Sequence, residues 1–261
     1  MSEDLVPPFV PIPAGRFTMG SDDGNDDERP VRELQIDAFH VSANAVTVDQ
    51  YAAFVRQTRH PGPDLRVLPM FVTADHELQF RELAAPYVWR GGEPPGERGQ
   101  HPVTLVTPSD AMAYCRWLSG QIGQLVRLPT EAEWERAARG GLERKRYPWG
   151  DDIDASRANF LPDLSLKRHR GTRPVGSYPP NGFHLYDMVG NVWQWVADWY
   201  SADYRSTNDH NPRGPTQGSF RVLRGGSWVT HDVDQLRAAH RHKVPPDTYA
   251  YSIGFRVVYS G

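Results

Sequence analysis

The chain has 261 residues, 39% of them hydrophobic and 23% charged, and its 29 Lys and Arg against 32 Asp and Glu leave a net charge of −3. Eight Trp, 11 Tyr and 10 Phe supply the bulk for a core and exclude a disordered chain, while the charge balance argues against a nucleic-acid partner. No run approaches the roughly 18 apolar residues of a membrane span, and the first residues lack the basic and apolar stretches of a secretory signal, so a cytoplasmic location is expected.

In chain order, residues 1–8 read as a tail and 9–261 as one domain. Phe17-Thr18-Met19 and Leu34 to Val41 have strand character, and the acidic stretch between them, Asp22 to Glu28, reads as a solvated loop because its glycine is misplaced for an EF-hand. Thr47 with Gln50 forms a capping box, and Val48, Tyr51, Phe54 and Val55 then share one helical face. A second helix follows Thr107-Pro108, buries Ala111, Tyr114, Cys115 and Leu118, and is expected to end at Gly120. A third runs from the Thr130 cap, with Glu133 closing the box, to Gly140-Gly141. Segments 59–104 and 141–180 show no periodicity and read as long structured loops. Trp193 and Trp195 alternate onto one strand face, away from Val192 and Gln194. Arg221 to Leu223 and Ile253 to Val258 are the remaining strands. Short strands, about three helices and 23 each of Gly and Pro give an α+β chain with much irregular structure. One cysteine, Cys115, excludes an intramolecular disulfide.

Several phrases are more specific: Ile12-Pro13-Ala14-Gly15-Arg16-Phe17-Thr18-Met19-Gly20, Arg127-Leu128-Pro129-Thr130-Glu131-Ala132-Glu133-Trp134-Glu135, Tyr147-Pro148-Trp149-Gly150, the run Pro180 to Trp195 with Gly190-Asn191-Val192-Trp193, Leu223-Arg224-Gly225-Gly226-Ser227-Trp228, and Gly254-Phe255-Arg256-Val257-Val258. In this order, over about residues 9–259, the chain resembles the formylglycine-generating enzyme, or sulfatase-modifying factor, family. The resemblance implies a variant of the C-type lectin fold, shared with sulfoxide synthases, pyoverdine-maturation oxidases and the variable proteins of diversity-generating retroelements. Arg256 is expected to make a structural ion pair.

The family's oxidase holds copper with two cysteines after the Gly-Gly-Ser-aromatic phrase. Here the resemblance sets Thr230 at the first position and, loosely, Gln235 at the second; neither offers a thiolate, so formylglycine formation is not expected. The expected function is non-catalytic binding of a protein or small-molecule ligand. The display surface would comprise Val229, Thr230, His231, Val233, Asp234, His240, His242, Thr248, Tyr249, Ala250 and Tyr251, within the region that retroelement variable proteins diversify. The alternative is a metal-dependent oxidase. If 236–242 is a strand, His240 and His242 project together. With His231 and Asp232 they would then suit Fe, Cu or Zn. The resemblance further implies Ca²⁺ at Asp187, Gly190, Val192 and Gln194, the middle two through carbonyls. A second calcium site, starting at Asn159-Phe160, is expected to be lost because its acidic partner falls near Lys167-Arg168-His169-Arg170.

Overall fold

Thr47, Thr107 and Thr130 each stop an extended segment and start a helix. In all three, the threonine hydroxyl accepts from the backbone N–H three residues on, and the residue there (Gln50, Asp110, Glu133) reaches back to the cap. The computed structural model describes residues 5–65, 68–69, 72–162, 171–203 and 208–260. Four helices are found there: α1 Val48–Thr58, α2 Glu77–Ala84, α3 Pro108–Ile122 and α4 Glu131–Arg139. Helix α3 runs through Gly120 and ends at Gly123, which takes the left-handed conformation at φ 68°. An isolated glycine inside a helix is tolerated, and the glycine with positive φ is the one that caps. Helix α2 lies inside a stretch expected to be irregular; its N-cap, His76, makes no side-chain capping bond.

The strands are β1 Phe9–Ile12, β2 Gly15–Met19, β3 Arg32–Ile36, β4 Phe39–Ser42, β5 Val126–Arg127, β6 Trp193–Trp199, β7 Arg221–Arg224, β8 His242–Val244, β9 Ile253–Phe255 and β10 Val258–Tyr259. They form a sheet in the order β1-β4-β10-β5, the hairpin β2-β3, and a sheet in the order β8-β7-β6-β9. The expected continuous strand from Leu34 to Val41 is two strands in different sheets, and so is that from Ile253 to Val258. Part of the segment expected to be a tail, residues 1–8, is packed. Val6 packs against the core and the Pro8 carbonyl accepts from Ala43 N. No helix among the described residues is long and apolar enough to cross a membrane.

Strand β6 is buried on both faces. Trp193 and Trp195 face a core shared with Tyr51, Tyr114 and Phe255, while Val196 faces a second core with Trp134 of α4. Beneath α4 runs a layer of buried charge. Arg224, fully buried, donates to Glu131 at 2.9 Å and Glu135 at 2.6 Å, both on α4. Glu135 also accepts from Arg139 at 2.6 Å, and Glu131 from Arg241 at 2.7 Å. Asp198 of β6 accepts from Glu131 N at 2.7 Å, pinning the helix start to the sheet.

Removing one carboxylate should leave buried guanidinium groups uncompensated. Glu135→Gln is expected to lower the unfolding free energy by about 3–5 kcal/mol, read by urea denaturation. The Asp198 carboxyl is pushed up to about 6 by burial, with Glu131 adding repulsion. A raised carboxyl favours the folded state while protonated, and that advantage is lost as pH rises through 6. Relative to Asp198→Asn, the wild-type stability is therefore expected to fall by about 3 kcal/mol between pH 4 and 8; a flat difference across that range would refute it.

Candidate functional site

Strand β7 hands the chain to a tight loop. Gly225 sits at φ 92°, and a Cβ there would meet Met188 O at 2.5 Å and the Trp134 ring at 3.0 Å, so only glycine fits. Ser227 N donates to Thr230 Oγ1 at 3.0 Å, Thr230 N to Ser227 O at 3.0 Å, and Leu161 N to Thr230 O at 2.9 Å. Thr230 is thus buried and hydrogen-bonded in place. Gln235 is half-buried on a single 3₁₀ turn, Val233–Leu236, capped by Asp232. The Cys115 thiol lies in the core on α3, pushed up to about 12 by burial; a thiol so placed is inert.

The expected display surface divides. His231 and Asp234 are exposed, and Val229, Val233, His242 and Tyr251 are half-buried. Thr230, His240, Thr248, Tyr249 and Ala250 are buried. These five do not present side chains to solvent, because the chain dives inward twice. Arg237 and Arg241 pull 236–241 onto the charged layer, and Ala250 O accepts from Leu105 N, closing 248–250 onto the core.

The expected strand over 236–242 is also corrected: β8 begins only at His242. Both imidazoles nevertheless pack on one indole, His242 stacked on Trp193 at 5.0 Å between centroids and His240 tilted at 6.0 Å. His231 stands apart, exposed, and Asp232 is spent as a cap. Among the described residues no three His, Cys, Asp or Glu side chains are grouped to hold a metal, so the four-residue set of His231, Asp232, His240 and His242 is not assembled. Burial, then the neighbouring Arg224 and Arg237 charges, hold His240 far down at about 3; burial also lowers His242. Both rings are neutral at physiological pH.

At the expected calcium turn, Gln194 is fully occupied. Its Oε1 accepts from Trp134 Nε1 at 2.8 Å and Arg256 Nε at 2.6 Å, and its Nε2 donates to Asp187 O at 2.8 Å. Arg256 makes no ion pair among the described residues. It is fully buried in a cage of oxygens, including Ser42 O at 2.9 Å and Tyr186 O at 2.8 Å, and burial pulls it down to about 10. Asp187 Oδ2 accepts from Gly176 N, while Oδ1 is buried without a partner. Gly190 N donates to Gly225 O and Val192 is buried. Of the expected side-chain ligands, one oxygen, Asp187 Oδ1, is free. Asn159 bonds Gly171 O and Asn191; its expected partners at 167–170 lie outside the described residues.

The structure adds a cleft of about 610 Å³ that sequence reasoning missed, lined by Asn25, Asp27, Tyr200, His240, His242 and Lys243. The acidic loop below it is not wholly solvated. Glu28 is fully buried and takes a bidentate bond from Arg237 at 2.6 and 2.7 Å.

Comparison with known proteins agrees with this architecture. Residues 2–260 match the sulfatase-modifying factor enzyme 1-like domain. The formylglycine-generating enzyme of Thermomonospora curvata is 37% identical, over 97% of this chain and 94% of its own length. A Mus musculus protein named inactive C-alpha-formylglycine-generating enzyme 2 is 35% identical, over 96% and 85%. Among solved structures, PvdO from Pseudomonas aeruginosa has a TM-score of 0.79 at 28% identity, covering 98% of this chain and 95% of its own. Treponema denticola variable protein 1 has a TM-score of 0.74 at 23% identity, covering 97% and 95%, a likeness of fold alone. The fold is the formylglycine-generating-enzyme type of C-type-lectin-like domain, and with a match over nearly its whole length and no cysteine pair, the chain belongs to the sulfatase-modifying factor enzyme 1-like family.

Proposed function

We propose that this chain is a non-catalytic, ligand- or protein-binding member of its family. It would act through the surface-lying part of 229–251, namely Val229, His231, Val233, Asp234, His242 and Tyr251. The observation that carries this is the state of Thr230. Where the family's oxidase has its first copper-binding cysteine, this chain has a hydroxyl that accepts from the backbone of its own loop, and its one thiol is buried in the core. Copper(I) needs soft thiolate ligands, and none is within that loop. The relative named as inactive supports the same reading. With a sulfatase-type cysteine peptide, copper and oxygen, no aldehyde is expected by mass spectrometry; its formation would overturn the proposal.

One observation favours a second reading, a metal-dependent oxidase. Two neutral imidazoles pack on the Trp193 indole, and PvdO from Pseudomonas aeruginosa shares the fold at TM-score 0.79. Metal analysis separates the two: stoichiometric Fe, Cu or Zn in protein purified without added metal, lost on His240→Ala and His242→Ala, would favour the oxidase.

Calcium at the 187–194 turn belongs to the proposal in reduced form, with Asp187 Oδ1 as its side-chain ligand. A bound ion stabilises the native state by mass action, so millimolar calcium should raise Tm above its value in excess chelator. An unchanged Tm would remove calcium from the account.

A further inference from the structure

Of the seven asparagines in the chain, only Asn181 precedes a glycine. A glycine carries no Cβ, so its backbone nitrogen can close on the preceding Asn Cγ without hindrance. An Asn-Gly pair is therefore the one most open to deamidation. The fold calls for both residues here. A Cβ on Gly182 would lie 2.3 Å from Gly140 O. Asn181 caps the C-terminal end of α4, where the helix itself runs out of donors: its Nδ2 donates to Ala137 O at 2.7 Å and Ala138 O at 3.1 Å. Its Oδ1 accepts from Phe183 N at 3.0 Å and Leu185 N at 3.1 Å, and its backbone N donates to Leu185 O at 2.9 Å.

Those contacts hold the reacting atoms still. Ring closure joins Gly182 N to Asn181 Cγ, and drawing Cγ toward that nitrogen pulls Nδ2 and Oδ1 off partners on two sides. A Cβ at Gly140 would come within 2.9 Å of both Asn181 Cγ and Gly182 N, so electrophile and nucleophile are both packed against the Gly140 backbone. Nδ2 must also take up a proton to depart as ammonia. Its two neighbours are carbonyls, which have none to give.

We propose that Asn181-Gly182 is a deamidation site gated by the docking of residues 181–185 on the end of α4. When that segment undocks, Gly182 N loses its proton to a solvent base and attacks Asn181 Cγ. The Cγ–Nδ2 bond breaks, and ammonia leaves with a proton from water. Water then opens the succinimide at either carbonyl, giving aspartate or isoaspartate. For the fold the change is one-way. A carboxylate cannot donate to Ala137 O and Ala138 O, and it sets negative charge against the negative end of the helix. The aged chain thus loses the cap of α4 and undocks more readily. This goes beyond the reading of 229–251 as a binding surface and does not depend on it.

The full chain should be incubated at mildly alkaline pH, with and without denaturing guanidinium chloride. Deamidation is then followed residue by residue, through the mass gain of acid over amide in proteolytic peptides. Conversion at Asn181 is expected to be at least about tenfold slower in the folded chain than in the denatured one. In the denatured chain it should outpace every other asparagine. Asn181→Asp, which carries the product in place, should lower Tm by about 5 °C or more. Should that variant fail to fold, wild-type protein aged and then separated by anion exchange gives the same measurement. Equal rates with and without denaturant, or no conversion at Asn181 in denaturant, would overturn the gating. An unchanged Tm in Asn181→Asp or in the aged fraction would overturn the one-way loss of the cap.

Discussion

Arg224 is the charge on which the rest of the structure is hung. It has no exposed surface, and its two arms reach Glu131 and Glu135, one turn apart on α4. Each carboxylate then holds another arginine: Glu135 takes Arg139, whose Nη2 bonds Gly20 O, and Glu131 takes Arg241, whose Nη1 bonds Asp27 O and Ser201 O. A buried charge is tolerable only when paired and hydrogen-bonded. Satisfying one guanidinium therefore fixes the distance between helix, sheet, N-terminal loop and the 237–241 segment together. A chain with so many short strands cannot lock these by ladder bonds alone.

A second hub works with neutral groups. Gln194 joins the Trp134 indole, the Arg256 guanidinium and the Asp187 carbonyl. Trp195, on the other face of the strand, donates to Val106 O at 2.9 Å. The polar ends of the large side chains are thus satisfied inside the cores, which lets β6 be covered on both faces. The charged hub positions elements; the amide hub fixes the turn that carries Asp187, Gly190 and Asn191.

The caps of α1 and α4 were legible because a capping box is local, determined by four residues, and the start of α3 was legible from Pro108 at its first position. What could not be read was where a strand changes sheets. Leu34 to Val41 looks continuous, yet β3 pairs with β2 while β4 pairs with β1 and β10. Phe255 and Val258 likewise belong to different sheets, and between them the Arg256 side chain is drawn into its oxygen cage. Such choices depend on partners outside the local sequence, as far apart as Val41 and Val258. The burial of His240 was hidden for the same reason. Alternation predicted an exposed strand, whereas Arg237 and Arg241 on either side are bound to Glu28 and Glu131 far away in sequence. The Glu131/Glu135 spacing was in view, but nothing local told that Arg224 would stand between them.

That anchoring separates path from content along the rim. Arg237 and Arg241 hold the backbone of 236–241 from beneath, and Thr230 ties down the entry to the loop. Asp232 caps the turn and Asp234 pairs with Arg146 and Arg237, whereas the exposed side chains of His231 before the anchors and Lys243 after them contribute little to holding that path. A lineage, or a library, could exchange them freely and inherit the same loop shape each time, so recognition can drift here while the scaffold beneath it stays constant.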